Sequence, residues 1–261
     1  MAFTPDYRNP GYQGYAGQQG YATAEAMDAG LRTYMLRIYN WMASGLVLTG
    51  LVAWLVANTS LINLFYQQTM TPRGLVTQPT GLGIVAMLAP LAFILVLSFG
   101  VNRLSRSGAQ ALYWAFCAAM GLSLTNIFLL YTGTSIGRVF LITAGTFAAM
   151  SIYGYTTKSD LTRMGSFLMM GLFGIVIAGL VNMFIASSAL QFAISIVGVL
   201  VFVGLTAYDT QRIKLTYQEY VHAQGFDEAA KHSVFDALAL YLNFINLFML
   251  LLQLFGNRNN N

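Results

Sequence analysis

Charged side chains are scarce in this sequence, and their scarcity excludes an ordinary water-soluble domain. Only 8% of the 261 residues are charged, whereas about a quarter of the residues in an average soluble domain carry a charge. Hydrophobic residues make up 57% of the chain. A soluble helical bundle needs a polar face on every surface helix, and the long apolar segments of this chain have none. The composition therefore predicts an integral membrane protein.

Cysteine and histidine are also rare, which removes several kinds of chemistry. Cys117 is the only cysteine, so no intrachain disulfide can form. Both histidines, His222 and His232, fall between the last two apolar segments and leave no embedded base for a serine protease and no embedded ligand for zinc. Tyr208 and Asp209 resemble half of an intramembrane aspartyl protease site, but the second catalytic aspartate is missing. We expect no enzymatic activity, no cofactor and no bound metal.

Seven apolar segments are long enough to cross a bilayer. Each has about 17 to 23 residues, and about 20 residues of helix span the hydrocarbon core. The chain carries no charge between Arg163 and Asp209, a stretch that would be about 68 Å long as one helix. We expect it to fold back near residues 186–188, and we expect a polar turn at residues 132–135. The predicted segments are 36–57, 82–101, 109–131, 137–155, 164–186, 189–209 and 233–255.

The two ends of the chain differ from this central part. Residues 1–30 are rich in Gly, Tyr and Gln, a composition typical of disorder. We therefore expect a disordered cytoplasmic tail over 1–30, a seven-helix transmembrane domain over 31–258, and a short C-terminal tail over 259–261.

Basic residues are distributed unequally between the two sides that seven crossings define. Ten of the 13 Lys and Arg residues fall on the side of the N-terminus and three on the other, and positive residues near span ends are retained in the cytoplasm. This predicts a multi-pass protein of the bacterial inner membrane with the N-terminus inside and the C-terminus outside. Because the basic residues form no continuous patch, we expect the lipid bilayer and not nucleic acid as the partner. The minority side carries Arg73, Arg138 and Arg258.

Asp209, at the end of the sixth segment, is the polar residue of greatest interest. The end of a helix carries a partial negative charge, so an aspartate there needs a further partner. One interpretation is a local pair with Arg212 in the headgroup region, which contributes about 0.5 kcal/mol or less. The other is a buried aspartate paired with a base from another helix, for which Arg103 at the end of the second segment is the candidate.

The seventh segment carries three polar residues that share one helical face. Asp236, Asn243 and Asn246 are separated by seven and three residues, which predicts a common face directed into the bundle. Such a face is typical of either hydrogen bonding between packed helices or a conduction path. Arg37, at the mouth of the first segment, is expected to reach the headgroups instead.

Three motifs resemble those of the Bax inhibitor-1 family, and the chain is identified as a bacterial member. They are GLTAYDTQRIK at 204–214, DALALYLNFINLF at 236–248 and SIYGYTTK at 151–158. The resemblance implies an all-α fold with six helices around the last one. It also implies, for some members, a pH-sensitive calcium leak in which an aspartate ending the sixth helix pairs with one in the seventh and with an arginine at the end of the second.

Asp209 matches the first aspartate of that arrangement and Arg103 fits the arginine, but Asn243 stands where the second aspartate is expected. Two close carboxylates share a proton, a coupling that an aspartate beside an amide lacks. Asp236 is a candidate to take over part of the role of the missing second aspartate. The second segment, residues 82–101, contains no carboxylate at all. The predicted function is a calcium or cation leak gated around Asp209 and Arg103. The alternative is a regulator that binds a membrane-embedded ATP-dependent protease, as the resemblance implies for some bacterial relatives.

Overall fold

The computed structural model describes the backbone of residues 13–71, 74–100, 105–224 and 226–259, and the side chains of 28–70, 77–96, 105–217 and 232–259. In these residues the chain is almost entirely helical, with one small hairpin after the first helix. The elements are α1 (Gln13–Ala57), α2 (Ile62–Phe65), β1 (Tyr66–Thr71), β2 (Gly74–Pro79), α3 (Gly81–Gly100), α4 (Arg106–Ser123), α5 (Asn126–Leu130), α6 (Gly133–Thr156), α7 (Thr162–Ile185), α8 (Ser188–Gln224) and α9 (Phe226–Phe255).

The seven predicted spans all correspond to helices. Six helical segments of the described chain are long and apolar enough to cross a membrane, with α4 and α5 acting together as one of them. The remaining span is α3, which has 20 residues and is therefore about 30 Å long, the thickness of the hydrocarbon core. The protein is an all-α polytopic membrane protein, as the sequence predicts.

Helix α9 occupies the middle of the bundle. It packs against α1, α4, α6 and α8, while α3 lies mainly on α4 and α7 mainly on α8. Leu240, Tyr241 and Leu247 of α9 are completely buried. By contrast, α7 exposes large apolar side chains such as Phe184, as expected for a helix that faces lipid. Six helices thus surround α9. Four of them pack against it, and α3 and α7 form an outer layer on α4 and α8.

Long-range hydrogen bonds show which loops share an end of the bundle. The start of α1, the loop between α6 and α7, the end of the sixth span in α8 and the start of α9 are joined at one end. Most of the predicted basic side lies here, and we call it the basic end. At the far end, the backbone around Tyr131 pairs with that around Arg258. The loop between α6 and α7 and the turn before α6 therefore lie at opposite ends of the bundle.

The two predicted turns lie at the far end, but the second, predicted at residues 132–135, is shorter than predicted because α6 already begins at Gly133. Ala186 takes a left-handed conformation with φ of 52°, and α8 begins at Ser188. The Asn182 side chain accepts a hydrogen bond from the Ser187 backbone N–H at 3.0 Å and closes the turn. The other turn ends at Thr132, whose hydroxyl accepts a hydrogen bond from a backbone N–H in the first turn of α6.

The N-terminal region differs from the expected tail. Helix α1 already begins at Gln13, so residues 13–30 are helical where the sequence suggests disorder, while residues 1–12 lie outside the described part. Ala, Glu, Gln and Met in this stretch are good helix formers, and extending an existing helix avoids the unfavourable nucleation step. The antiparallel hairpin of β1 and β2 was also not predicted, because its polar strands show no alternation of apolar residues.

Candidate functional site

Asp209 is a buried carboxylate inside a continuous helix. Helix α8 continues to Gln224, about 22 Å beyond Asp209. The residue is therefore not at a helix end, and the expected conflict with the helix dipole does not arise, because α8 does not stop where its apolar stretch stops. Only 8% of Asp209 is exposed. A carboxylate this deeply buried needs partners for its oxygens.

Each oxygen of Asp209 has one partner. The Asn243 side-chain N–H of α9 donates a hydrogen bond to Oδ2 at 2.7 Å. The Arg212 guanidinium lies 3.0 Å from Oδ1, and its side chain is 45% exposed. The local pair expected from the sequence is thus present, and beside it Asp209 contacts the position of the seventh helix that the family resemblance implies. The other candidate base, Arg103, lies outside the described residues.

Two glycines allow neighbouring helices to approach α8 next to Asp209. A Cβ atom on Gly154 of α6 would collide with the backbone carbonyl of Ala207, and one on Gly165 of α7 would collide with the ring of Tyr208. Small residues of this kind permit close packing of membrane helices. The segment around Asp209 is therefore enclosed by α6, α7 and α9.

Residues just after Asp209 form hydrogen bonds to the loop between α6 and α7 and to the end of α6. The Gln211 side chain accepts a hydrogen bond from the Leu161 backbone N–H and donates one to the Ser159 carbonyl, both at 2.8 Å. Lys214 donates to the Tyr155 carbonyl at 2.9 Å. Sequence reasoning missed this role, although Gln211 and Lys214 both belong to the motif at 204–214. The indication of it in the sequence is that Gln211 and Lys214 are three residues apart and therefore lie on the same side of α8.

Asp236 makes a separate connection from α9 to α1. Its Oδ2 accepts a hydrogen bond from the Tyr34 hydroxyl at 2.6 Å, and the ring of Tyr34 stacks on Tyr217 of α8 with centroids 4.8 Å apart. Arg212 and Asp209 are close enough to act electrostatically on Asp236. We call Tyr34, Asp209, Arg212, Asp236 and Asn243 the basic-end cluster. It joins α1, α8 and α9 through two carboxylates.

The other polar candidates lie outside this cluster. Asn246 is exposed and bonds to the Leu242 carbonyl of its own helix, so the prediction that it faces inward is wrong. The reason is its position about 60° away from Asn243 around the helix. Arg37 is exposed, as expected of a side chain that reaches the headgroups. Asn182 is buried at the far end and bonds to Gln191.

The core of the bundle beyond Asn243 is apolar along α9. Towards the far end, the buried side chains of this helix are Phe244, Ile245, Leu247, Phe248, Leu251 and Leu252. An apolar cavity of about 90 Å³ beside Phe244 and Phe248 is the space found there between α1, α5 and α6. No group of three or more His, Cys, Asp or Glu side chains in the described part of the chain is arranged to hold a metal ion. The described residues thus form a bundle with a polar cluster at one end.

Comparison with known proteins places this architecture in a family. The family model described as inhibitor of apoptosis-promoting Bax1 matches residues 31–260. The chain belongs to the Bax inhibitor-1 family. It is 45% identical to the inner membrane protein YbhL of Escherichia coli K12, over 88% of this chain and 94% of that protein. It is also 45% identical to the protein RP147 of Rickettsia prowazekii, over 90% and 93% of the two chains. A membrane protein of Streptococcus pyogenes serotype M3, SpyM3_0260, is 34% identical over 88% and 94%.

Within this Bax inhibitor-1 fold, three of the four residues predicted for the site can be located. Asp209 and Asn243 are in direct contact, and Asp236 belongs to the same cluster through Tyr34 and its electrostatic neighbours. Tyr34 is the member that sequence reasoning missed, because its partner lies 202 residues away.

Proposed function

We propose that this integral membrane protein of the Bax inhibitor-1 family is a cation leak whose closed state is held by Asp209 at the basic end. The observation that supports the proposal is the pair of contacts made by this buried carboxylate. Asn243 of the central helix donates to one oxygen, and Arg212 pairs with the other. A buried charge held by both a neighbouring helix and a base is a common feature of gates and ion pathways in membranes.

In the closed state, the Asp209–Asn243 bond fixes α8 against α9. Adding a proton to Asp209 removes its negative charge, so the hydrogen bond from Asn243 is no longer charge-assisted and becomes weaker. The connection between the two helices is then weakened, and α8 is free to shift relative to α9. Arg103 is proposed to act as a second base on Asp209, as the resemblance implies.

Asn243 sets the kind of pH dependence that we expect. A carboxylate beside an amide exchanges its proton alone, whereas two carboxylates in contact titrate as a coupled pair. The leak of the natural protein is therefore expected to vary gradually with pH, as for one group. Replacing Asn243 with aspartate creates the coupled pair, and we expect the leak of that variant to depend more steeply on pH.

The experiment is calcium flux into proteoliposomes, measured between pH 5 and pH 8 as an exploratory range. We expect Asp209→Asn to raise the flux at neutral pH and to remove its pH dependence, because the amide neither carries a charge that strengthens the bond from Asn243 nor takes up a proton in this range. Arg103→Ala is expected to shift the flux in the same direction. The control is Asp160→Asn, which alters an exposed carboxylate in the loop between α6 and α7. Flux through the Asp209 and Arg103 variants equal to that of the control would refute the gate.

The membrane and the orientation are part of the same proposal. The relative YbhL is named an inner membrane protein, and we propose the same membrane for this chain. The excess of Lys and Arg on one side supports a cytoplasmic basic end with the N-terminus inside and the C-terminus outside. Reporter fusions at the two termini test this orientation: a reporter active only in the cytoplasm should work at the N-terminus and fail at the C-terminus.

A second candidate is regulation of a membrane-bound ATP-dependent protease through the N-terminal region. The feature that favours it is the extension of α1 from Asp28, where the span begins, back to Gln13. This extension is about 22 Å long and offers a binding element at the basic end. Deleting residues 1–27 keeps all the buried side chains that are described for α1, from Leu31 onwards. The candidate predicts that the deletion abolishes co-purification with the protease, and unchanged co-purification would refute it.

A further inference from the structure

A large cleft separates α1 from α6 in the leaflet of the basic end. Both helices pack on α9, and Phe244 of α9 lies at the base of the gap between them. The cleft has a volume of about 620 Å³. It contains neither Asp209 nor Asp236, so it is distinct from the basic-end cluster.

The walls of the cleft are apolar along most of its length. Met35, Met42 and Leu46 line it on α1, and Phe140 and Phe147 line it on α6. From Arg32 to Leu46 the α1 wall is about 21 Å long. One leaflet of hydrocarbon is about 15 Å thick, with the headgroups beyond it. The cleft therefore extends from the headgroup level to the middle of the membrane.

The shape and lining of the cleft suit a hydrocarbon chain. The cleft has a volume of about 620 Å³, runs about 21 Å along α1, and is apolar along most of that length.

The polar side chains that line the cleft are Arg32, Tyr39, Ser151 and Tyr155, and all but Tyr39 lie near its basic end. The exposed Arg32 lies at its mouth, and no carboxylate among the described residues is within ion-pair distance of its guanidinium. Ser151 is 4% exposed in the α6 wall, and its hydroxyl has no hydrogen-bond partner there. A buried hydroxyl without a partner is uncommon. Both groups are donors, so they suit a ligand that presents acceptor oxygens next to its hydrocarbon chain.

We propose that the α1–α6 cleft is a binding site for one anionic phospholipid of the basic-end leaflet. An acyl chain occupies the apolar part between Met42 and Phe140. The phosphate pairs with Arg32, and an ester carbonyl accepts the hydrogen bond that Ser151 offers. The assignment does not depend on ion conduction.

The test is native mass spectrometry of the whole protein after equilibration with phosphatidylglycerol and phosphatidylcholine in equal amounts. We expect phosphatidylglycerol to be retained preferentially. Arg32→Gln should lower its retention about fivefold, the effect of one basic residue near anionic lipid. The matched control is Arg37→Gln, because Arg37 is exposed on the same helix but lines a different depression beside Trp41 and Trp114. Ser151→Ala should lower retention of both lipids alike.

A second pair of variants tests the acyl-chain part independently of charge. Ala148 lines the cleft, whereas the next residue, Ala149, is exposed but does not. Ala148→Trp should fill the cleft and abolish retention of both lipids, and Ala149→Trp should leave retention unchanged. Gel filtration confirms that each variant is folded.

Several results would overturn the proposal. Equal loss with Arg32→Gln and Arg37→Gln would mean that any surface charge suffices, and equal retention of the two lipids by the natural chain would mean that the site is not anionic-selective. Displacement of the lipid by excess glycerol phosphate would show that the acyl chain contributes nothing. A second copy of the chain bound in place of lipid, seen as a dimer that Ala148→Trp dissociates, would assign the cleft to another occupant.

Discussion

The close contact between α6 and α8 gives a sharp prediction for Gly154. A Cβ atom at this position would lie 2.9 Å from the carbonyl carbon and Cα of Ala207, and closer still to the carbonyl oxygen. These are backbone atoms of α8, so they cannot move aside as a flexible side chain does. Gly154→Ala must push the two helices apart two residues before Asp209.

The size of the effect follows from two opposing contributions. Replacing glycine with alanine inside a helix stabilises it by about 1 kcal/mol. Overpacking of a tight interior contact destabilises by about 1–3 kcal/mol, and the backbone collision places Gly154→Ala at the upper end. The expected net loss is about 2 kcal/mol. Gly145, on the same helix, has open space where a Cβ atom would lie, with no neighbouring atom within 4 Å, so Gly145→Ala should gain up to about 1 kcal/mol.

The assay is thermal unfolding of the purified protein in detergent. By the scaling of soluble domains, a loss of about 2 kcal/mol corresponds to a Tm about 4–8 °C lower. Gly154→Ala should show such a decrease, and Gly145→Ala should unfold at or above the temperature of the natural chain. If the two alanine variants unfold at the same temperature, then the α6–α8 contact does not depend on a missing side chain, and the reasoning fails.

Two further predictions concern a buried hydrogen bond and an exposed carboxylate. Thr49 donates to the Cys117 carbonyl and lies 2.6 Å from the Tyr241 hydroxyl, so Tyr241→Phe should cost about 0.6 kcal/mol. Thr49→Val should cost more, about 1–3 kcal/mol, because it leaves the Tyr241 hydroxyl unpaired; thermal unfolding in the reverse order would contradict this. The hydrogen bond from the Thr162 side chain lowers the pKa of Asp160 below its ordinary value, so its stabilising effect is present above about pH 4 and is lost as the pH falls through the lowered pKa. Thr162→Val should return that pKa towards normal in a carboxyl NMR titration, and an unchanged titration would count against the bond.

The spans were predictable because hydrocarbon thickness fixes the length of an apolar helix. The reversal near Ala186 was predictable for the same reason, since the uncharged stretch before Asp209 is too long for one crossing. Where the membrane ends, this constraint ends too. Helices α1 and α8 continue to Gln13 and Gln224, and outside the membrane an apolar composition no longer marks where a helix ends.

Only part of the candidate site was predictable from the sequence. The contacts that were missed join residues that are far apart in the chain. Asp209 and Asn243 stood out because each is a polar group in an apolar helix. The contact from Tyr34 to Asp236 did not, because tyrosine is common in membrane helices and its partner is 202 residues away. The Gln211 contacts with the loop between α6 and α7, about 50 residues away, depend likewise on packing that no local pattern encodes.

The basic-end cluster and the lipid cleft meet on helix α1, and this connects the two proposals physically. Arg32 lies two residues before Tyr34, whose hydroxyl holds Asp236 of α9. Asp209 of α8 is held on the same helix α9 by Asn243. A lipid that fixes Arg32 therefore also limits the movement of Tyr34 relative to α9. Because packed helices move as rigid elements, such a restraint on α1 acts on the surroundings of both carboxylates. An anionic lipid in the cleft should then favour the closed arrangement, and the Arg32→Gln variant should leak more than Arg37→Gln in liposomes that contain phosphatidylglycerol, with no difference between them in phosphatidylcholine.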